Sequence, residues 1–315
     1  MDSSELQKLA QHSRSTREAG IALLFASGLL ALFLFVPLSP NVAAPAPVAT
    51  EPSTVPDAFA QTSIEAEAAI VYDLTTGETL YAKSADAQLP LASLTKLLTV
   101  YAALAELSPD TPILISADAA RVEAPRAFNQ GQTFSLADLA RLTLTASLND
   151  GAAAIAEAAA ARQNRSQSAL LAGAAGALGL SQTYAVNGSG LDVNTAISGG
   201  YGSARDLARL AGALVEQAPG IAAATTRSSA QAVSEGGTRF SVKNTDPMVD
   251  TMPRLLLSKT GYTDLAGGNL VLVFDAGIRH PIAVVVLGSS LTERFTDGAA
   301  LVSATLAHFA GVASL

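Results

Sequence analysis

Three apolar runs of strand length, residues 254–259, 269–274 and 281–287, follow one another in the last third of the chain with only short connections between them. Connections that short join antiparallel neighbours, because a parallel partner needs a crossover of a dozen residues or more. The runs therefore predict an antiparallel meander, and a meander must find elements that cover its faces. An earlier pair of runs, 68–74 and 79–83 around Thr76-Gly77, reads as a β-hairpin that can join the same sheet. Between hairpin and meander the sequence is Ala-rich and helical in pattern. Helices are predicted from Ser93 to about residue 107, from a capped start at Ser135 to about 146, and over 149–161, 167–178 and 204–216. A short strand is predicted at 111–116 and a Gly- and Asn-containing loop at 187–200, whereas 225–250 is too irregular to assign. Residues 295–309 close the pattern as an amphipathic helix. The order of hairpin, helical block, three strands and helix predicts an α+β fold. An antiparallel sheet flanked by helices faces a separate all-helical lobe, with a cleft between them.

Composition narrows the chemistry. A net charge of −8 over 315 residues argues against a nucleic-acid surface, which needs a basic patch. There is no Cys, so disulfides, thiolate metal sites and a cysteine nucleophile are all excluded. The three His, His12, His280 and His308, are far apart in sequence, which argues against a His-based zinc site and leaves no metal expected.

The N-terminal stretch has its own organisation. Residues 1–18 are polar and carry Lys8, Arg14 and Arg17, and residues 19–36 are apolar without a charge. That length is near the minimum for a membrane-spanning helix. The expected order is a cytoplasmic tail over 1–18, an uncleaved transmembrane anchor over 19–38, a Pro/Ala-rich tether over 39–61 and a folded domain over 62–315. A cleaved signal peptide is the alternative to the anchor. Lys and Arg precede the apolar run and are absent from 37–66, so the positive-inside rule sends the folded domain out of the cytoplasm.

Three short motifs carry chemistry. Ser93 and Lys96 are three residues apart at a predicted helix start, which puts hydroxyl and amine on one face. A serine becomes nucleophilic when a neighbouring base takes its proton, and a lysine serves as that base only if held neutral. With 29 Ser and 5 Lys, this spacing arises about once in every two chains of this composition, so it needs corroboration. Ser147-Leu148-Asn149 falls at a junction of two predicted helices, placed to project a hydroxyl and an amide into the cleft. Lys259-Thr260-Gly261 ends a predicted strand, where glycine permits close backbone approach by a ligand. It arises by chance in only about one such chain in fifteen.

The ordered set resembles the penicillin-binding-protein and serine β-lactamase superfamily. Within it, Pro90-Leu91-Ala92-Ser93-Leu94-Thr95-Lys96, Ser147-Leu148-Asn149-Asp150-Gly151, Ser203-Ala204-Arg205-Asp206-Leu207 and Lys259-Thr260-Gly261-Tyr262-Thr263-Asp264-Leu265-Ala266-Gly267-Gly268-Asn269 are similar to the low-molecular-mass D-alanyl-D-alanine carboxypeptidases and their endopeptidase relatives. The resemblance covers about residues 62–312. It implies a D,D-peptidase/β-lactamase-like fold and a cofactor-free serine carboxypeptidase, open to β-lactam inhibitors, that acts on peptidoglycan stem peptides. Ser93 would be the nucleophile, Lys96 its base and Ser147 a proton relay. Asn149 would hold the substrate amide, and Lys259 and Thr260 the terminal carboxylate beside Gly261. The backbone N–H groups of Ser93 and Tyr262 would form the oxyanion hole. Arg294 resembles a second carboxylate anchor, with a solvated charge leading a helix as its alternative.

Rival readings are a D,D-endopeptidase that cuts cross-links, a serine β-lactamase and a non-catalytic wall-binding module. A class A β-lactamase would show a Glu-x-x-Leu-Asn loop after the Ser-x-Asn element; the only Glu between Asp150 and Val215 is Glu157, inside an Ala-rich helical run. A pure binder has no need of Ser93, Lys96, Ser147, Asn149 and Lys259 together. A nucleophile elbow at Asn187-Gly188-Ser189-Gly190 lacks its first glycine and follows no strand, which leaves Ser189 as a turn residue.

Overall fold

A computed structural model describes residues 57–311. The predicted cytoplasmic tail, the transmembrane anchor and most of the tether lie outside these residues, and among the described residues no helix is long and apolar enough to cross a membrane. In chain order the elements are β1 (Ala68–Asp73), β2 (Thr79–Lys83), β3 (Leu89–Pro90), α1 (Thr95–Glu106), β4 (Pro112–Leu114), β5 (Thr133–Ser135), α2 (Leu136–Ala146), α3 (Asn149–Arg162) and α4 (Gln167–Ala177). They continue with β6 (Tyr184–Ala185), β7 (Gly200–Gly202), α5 (Ala204–Gln217), α6 (Pro219–Ala224), β8 (Ser229–Val233) and β9 (Arg239–Lys243). The last four are β10 (Leu255–Thr263), β11 (Gly267–Asp275), β12 (Pro281–Ser289) and α7 (Glu293–Ala310).

Hairpin and meander do join one sheet. Its five strands run β10-β11-β12-β1-β2, with every neighbouring pair antiparallel. Side chains of a strand alternate between faces, and here both faces are covered, so the strands read as continuous apolar runs rather than as alternating ones. Val71, Leu270, Leu272, Phe274, Ile282, Val284 and Val286 pack toward α7. Ile70, Leu257, Val271, Val273, Ala283, Val285 and Leu287 join the larger core shared with the helical lobe. In that lobe α1 packs on α3, α4 and α5. Two helices start at capping serines: Ser135 accepts from the Asp138 N–H at the head of α2 and Ser203 from the Asp206 N–H at the head of α5.

Four departures from the sequence reading have physical causes. Ser93 does not open an α-helix. It sits in a short 3₁₀ turn, Ala92–Leu94, and α1 begins at Thr95. The strand expected to stop at Lys259 continues through Thr260 and Gly261 to Thr263, because these residues pair with Leu270, Asn269 and Gly267 of β11. The unassigned stretch 225–250 contains the β8–β9 hairpin. Its buried face on β8 is Ala230 and Ala232, too weak a contrast with Ser229 and Gln231 to show as alternation. Phe59, assigned to the tether by composition, is buried against Tyr81 and His308 with ring centroids at 5.6 and 6.0 Å, so the fold starts earlier than residue 62.

Candidate active site

The 3₁₀ turn that carries Ser93 is wedged between two other elements. Ala92 has φ +48°, a left-handed conformation that costs a non-glycine residue energy and needs surroundings to hold it. Those surroundings are two glycines. A Cβ on Gly190 would lie 1.9 Å from the Ala92 carbonyl oxygen, and one on Gly261 would lie 2.9 Å from that of Leu91 and 3.3 Å from the Ser93 nitrogen. Gly261 was expected to admit a ligand. What it admits is the turn that carries Ser93, at a distance no side chain allows.

Lys96, three residues on, is fully buried. Its Nζ lies 2.7 Å from Ser93 Oγ, 2.7 Å from Asn149 Oδ1 and 2.7 Å from the Ser189 carbonyl oxygen. Burial holds its pKa well below the ordinary lysine value, the nearby Lys259 charge lowers it further, and Asp150 opposes. A buried, easily neutralised amine against a half-buried hydroxyl has the geometry of a base and its nucleophile.

The other two motifs converge on the same point. Ser147 ends α2 at φ +57°, and this turn lets the next two residues start α3 with Asn149 at its head. Lys259 Nζ, also buried, donates to Ser147 Oγ at 2.9 Å and to the Thr260 carbonyl at 2.6 Å. Burial first, then the Arg294 charge, lowers the Lys259 ammonium to about 7. Thr260 Oγ1 shares a 2.6 Å hydrogen bond with Thr245 Oγ1. Tyr262 is half-exposed and lines, with Ser93 and Asn149, a cavity of about 320 Å³ whose rim carries Glu123, Asp192 and Asp264.

Two residues behave differently from expectation. Asn149 does not offer its amide outward: Oδ1 accepts from Lys96, and Nδ2 donates to the Glu123 and Ala124 carbonyls at 2.9 and 3.0 Å. Arg294, expected as a second carboxylate anchor with a solvated charge as the alternative, is not a solvated charge. It is buried, its Nη1 donates to the Gly261 carbonyl, and its guanidinium lies 4.7 Å from the Phe295 ring centroid. Arg294 therefore braces β10 from behind while adding positive field at Lys259.

Other participants had no signal as individual residues. Asp150 is fully buried, takes N–H donors from Ala127, Phe128 and Gly151, and so holds the cavity wall formed by the segment before Phe128; burial nevertheless pushes its carboxyl pKa up. Ser258 Oγ donates to Asp246 Oδ2 at 2.6 Å and fixes the segment that bears Thr245. The Ser189 carbonyl is a backbone group, and no side-chain motif announces it.

A half-buried serine, a neutralisable lysine and a second lysine at a strand edge define a serine acyl-transfer site between a sheet and a helical lobe. The sequence profile of the D-alanyl-D-alanine carboxypeptidases, peptidase S11, matches residues 55–290. The chain is 31% identical over 265 residues to a D-alanyl-D-alanine endopeptidase of Pseudomonas aeruginosa, covering 82% of this chain and 81% of that one. It is 29% identical over 255 residues to the carboxypeptidase DacC of Escherichia coli, covering 76% of this chain and 61% of that one. Among solved structures, penicillin-binding protein D2 of Listeria monocytogenes in its ampicillin-bound form superposes with a TM-score of 0.65 at 27% identity over 77% of this chain and 98% of that one. The D-alanyl-D-alanine carboxypeptidase of Mycobacterium tuberculosis does so with a TM-score of 0.67 at 25% identity over 80% and 96%. This chain belongs to the D-alanyl-D-alanine carboxypeptidase family, peptidase S11, whose members are serine D,D-peptidases of the penicillin-binding-protein superfamily.

Proposed function

We propose that the protein is a serine D,D-carboxypeptidase that removes the terminal D-alanine from peptidoglycan stem peptides. Neutral Lys96 takes the Ser93 proton as Oγ attacks the carbonyl between the last two residues. The oxyanion forms between the backbone N–H groups of Ser93 and Tyr262. As the C–N bond breaks, Ser147 gives its hydroxyl proton to the departing D-alanine amine and takes up the one that Lys96 received, which leaves an ester on Ser93 and Lys96 neutral again. Water then cleaves that ester and restores the serine. Lys259 and Thr260 hold the substrate's terminal carboxylate, and Arg294 strengthens the positive field there. β10 ends the sheet, and beyond Ser258, whose N–H is taken by Thr225 Oγ1, no described strand pairs with it on the side away from β11, the edge along which an extended peptide would lie. The observation that carries this reading is the 2.7 Å contact of a fully buried Lys96 with Ser93.

Fluorescent penicillin tests it on the full chain. The native protein is expected to label covalently and Ser93→Ala to lose the label; labelling that survives the substitution, or none in the native protein, removes the assignment. Cross-link hydrolysis is the second reading, favoured by the relatives of P. aeruginosa and E. coli that are named endopeptidases, at 31% and 30% identity. Mass spectrometry of digested pentapeptide and cross-linked muropeptides separates the two: loss of one D-alanine marks the carboxypeptidase, and monomers from dimers mark the endopeptidase. We further propose that residues 19–38 anchor the chain with its catalytic domain outside the cytoplasmic membrane, which protease accessibility of intact spheroplasts tests.

A further inference from the structure

Lys96 faces a problem of valence that three of its neighbours define. A neutral amine has two N–H bonds and one lone pair, and only the lone pair can receive the Ser93 proton. Nζ has three partners at 2.7 Å: Ser93 Oγ, Asn149 Oδ1 and the Ser189 carbonyl oxygen. Two of them are carbonyl oxygens that accept and cannot donate, so they take the two N–H bonds. The lone pair is left pointing at the one partner that has a proton to give. Remove either carbonyl and the amine can rotate an N–H toward Ser93, which is the wrong orientation for a base.

Asn149 is fixed by α3 and its own two donated bonds. The Ser189 carbonyl sits on a loop and needs a separate device. That device is Asn187. Its Oδ1 accepts from the Ser189 N–H at 3.2 Å, Ser189 Oγ at 3.0 Å and the Gly190 N–H at 2.8 Å, and its Nδ2 donates to the Leu191 carbonyl at 2.9 Å. One side chain thus gathers the next four residues into a single tight turn. The turn is registered on α1 as well: Thr99, one helical turn beyond Lys96, donates its Oγ1 to the Gly188 carbonyl at 2.7 Å. Successive carbonyls of the loop are therefore matched to successive side chains on one face of the helix.

We propose that Asn187 is a positioning residue for acyl transfer, holding the turn through Gly190 so that the Ser189 carbonyl, with Asn149 Oδ1, directs the Lys96 lone pair at Ser93. The inference rests on the reading of Ser93 and Lys96 as nucleophile and base. Asn187 itself contacts neither.

The rate of acylation by fluorescent penicillin, measured across pH on the full chain, tests it. The charged groups acting on Lys96 are Lys259 from β10 and Asp150 from α3, and Asp192 on the loop and Glu123 on the facing wall line the cavity at Ser93. All four are unchanged in Asn187→Ala. A carbonyl that accepts from an ammonium favours the charged form. With that carbonyl released, Lys96 loses its proton more easily, and the acid limb of the rate profile is expected to move to lower pH. The plateau is expected to fall about 10- to 100-fold through misorientation. A merely structural role lowers the melting temperature and the amount of active protein but leaves the limb in place. An unmoved limb overturns the proposal whatever the plateau does. If Asn187→Ala does not fold, Asn187→Asp keeps the three accepted bonds and adds a negative charge beside Lys96. Its limb is expected at higher pH, and an unmoved limb again overturns the proposal. A native protein that fails to label at Ser93 removes the proposed function itself, whereas labelling with unmoved limbs removes only the role of Asn187.

Discussion

On the face of the sheet that packs against α7, the strands present Leu270, Leu272, Phe274, Ile282, Val284 and Val286, all hydrocarbon and all buried. On the opposite face the same strands present Leu257, Val271 and Val285, and then Lys259, directly across from Val271 in the ladder. There the core also encloses Lys96 and Asp150. The first face packs hydrocarbon from the sheet against α7, with the buried Arg294 and Asp297 of that helix carrying its polar contacts, and it supplies stability. The second gives some of that stability up, since a buried ammonium is costly unless paired, and Lys96 and Lys259 are held mainly by neutral oxygens. Burial is what makes the two amines chemically useful. The same removal from water that disfavours their charges brings Lys96 within reach of a neutral form.

Substitutions on the two faces should therefore divide activity from stability. Lys96→Arg should have the largest effect. A guanidinium stays protonated, so acylation by penicillin is expected to fall by about a thousandfold or more at every pH measured, and recovery at high pH would refute lysine as the base. Gly261→Ala comes next. Its Cβ would press on the Leu91 carbonyl at 2.9 Å and shift the Ser93 turn, so a loss of about a hundredfold is expected in acylation rate. Near-native acylation there would mean that the turn is not held by β10.

The effect of pH is smaller. Lys259, lowered to about 7 by burial and Arg294, is cationic below that value and neutral above it. For a peptide ending in a carboxylate, kcat/KM is expected to decline by up to about tenfold per pH unit above 7, since this ratio follows the free enzyme. Lys259→Arg should erase the decline, and a native profile flat to pH 9 would exclude Lys259 as the carboxylate's partner. Least of all should Leu272→Ala, on the hydrocarbon face, alter chemistry. It is expected to cost about 2–5 kcal/mol in urea unfolding while kcat stays within about twofold. A large fall in kcat would show that the faces are not separable.

The contrast between the faces also explains what could be read from sequence. Strands β1, β2, β11 and β12 and the starts of α2 and α5 were legible because apolar runs and, at Ser135, a capping serine are local signals. Ser93, Lys96, Ser147, Asn149 and Lys259 were legible as members of a resemblance, and the fold brings them together. Their partners were harder. Asn149 turned inward to Lys96, and Arg294 reached the Gly261 carbonyl, because orientation depends on tertiary neighbours. Asn187 and Ser189 act through a side-chain-to-backbone turn and a main-chain oxygen, so the sequence shows only a loop. The β8–β9 hairpin was hidden by the small size of the alanines it buries.

The pairing of β1 with β12 has a consequence for how the molecule comes into being. Residues 68–73 lie in register with residues 282–287, and among the described strands β12 pairs the hairpin to β11 and, through it, to β10. A chain lengthening from its N-terminus can assemble helices early, yet the sheet stays in two unconnected pieces until the last strand arrives. Contacts so distant in sequence form slowly, because the whole intervening loop must close before they contribute. The strand edge beside Ser93 is thus among the last parts to be set in place, and an unfinished chain carries Ser93 without the wall that holds its turn.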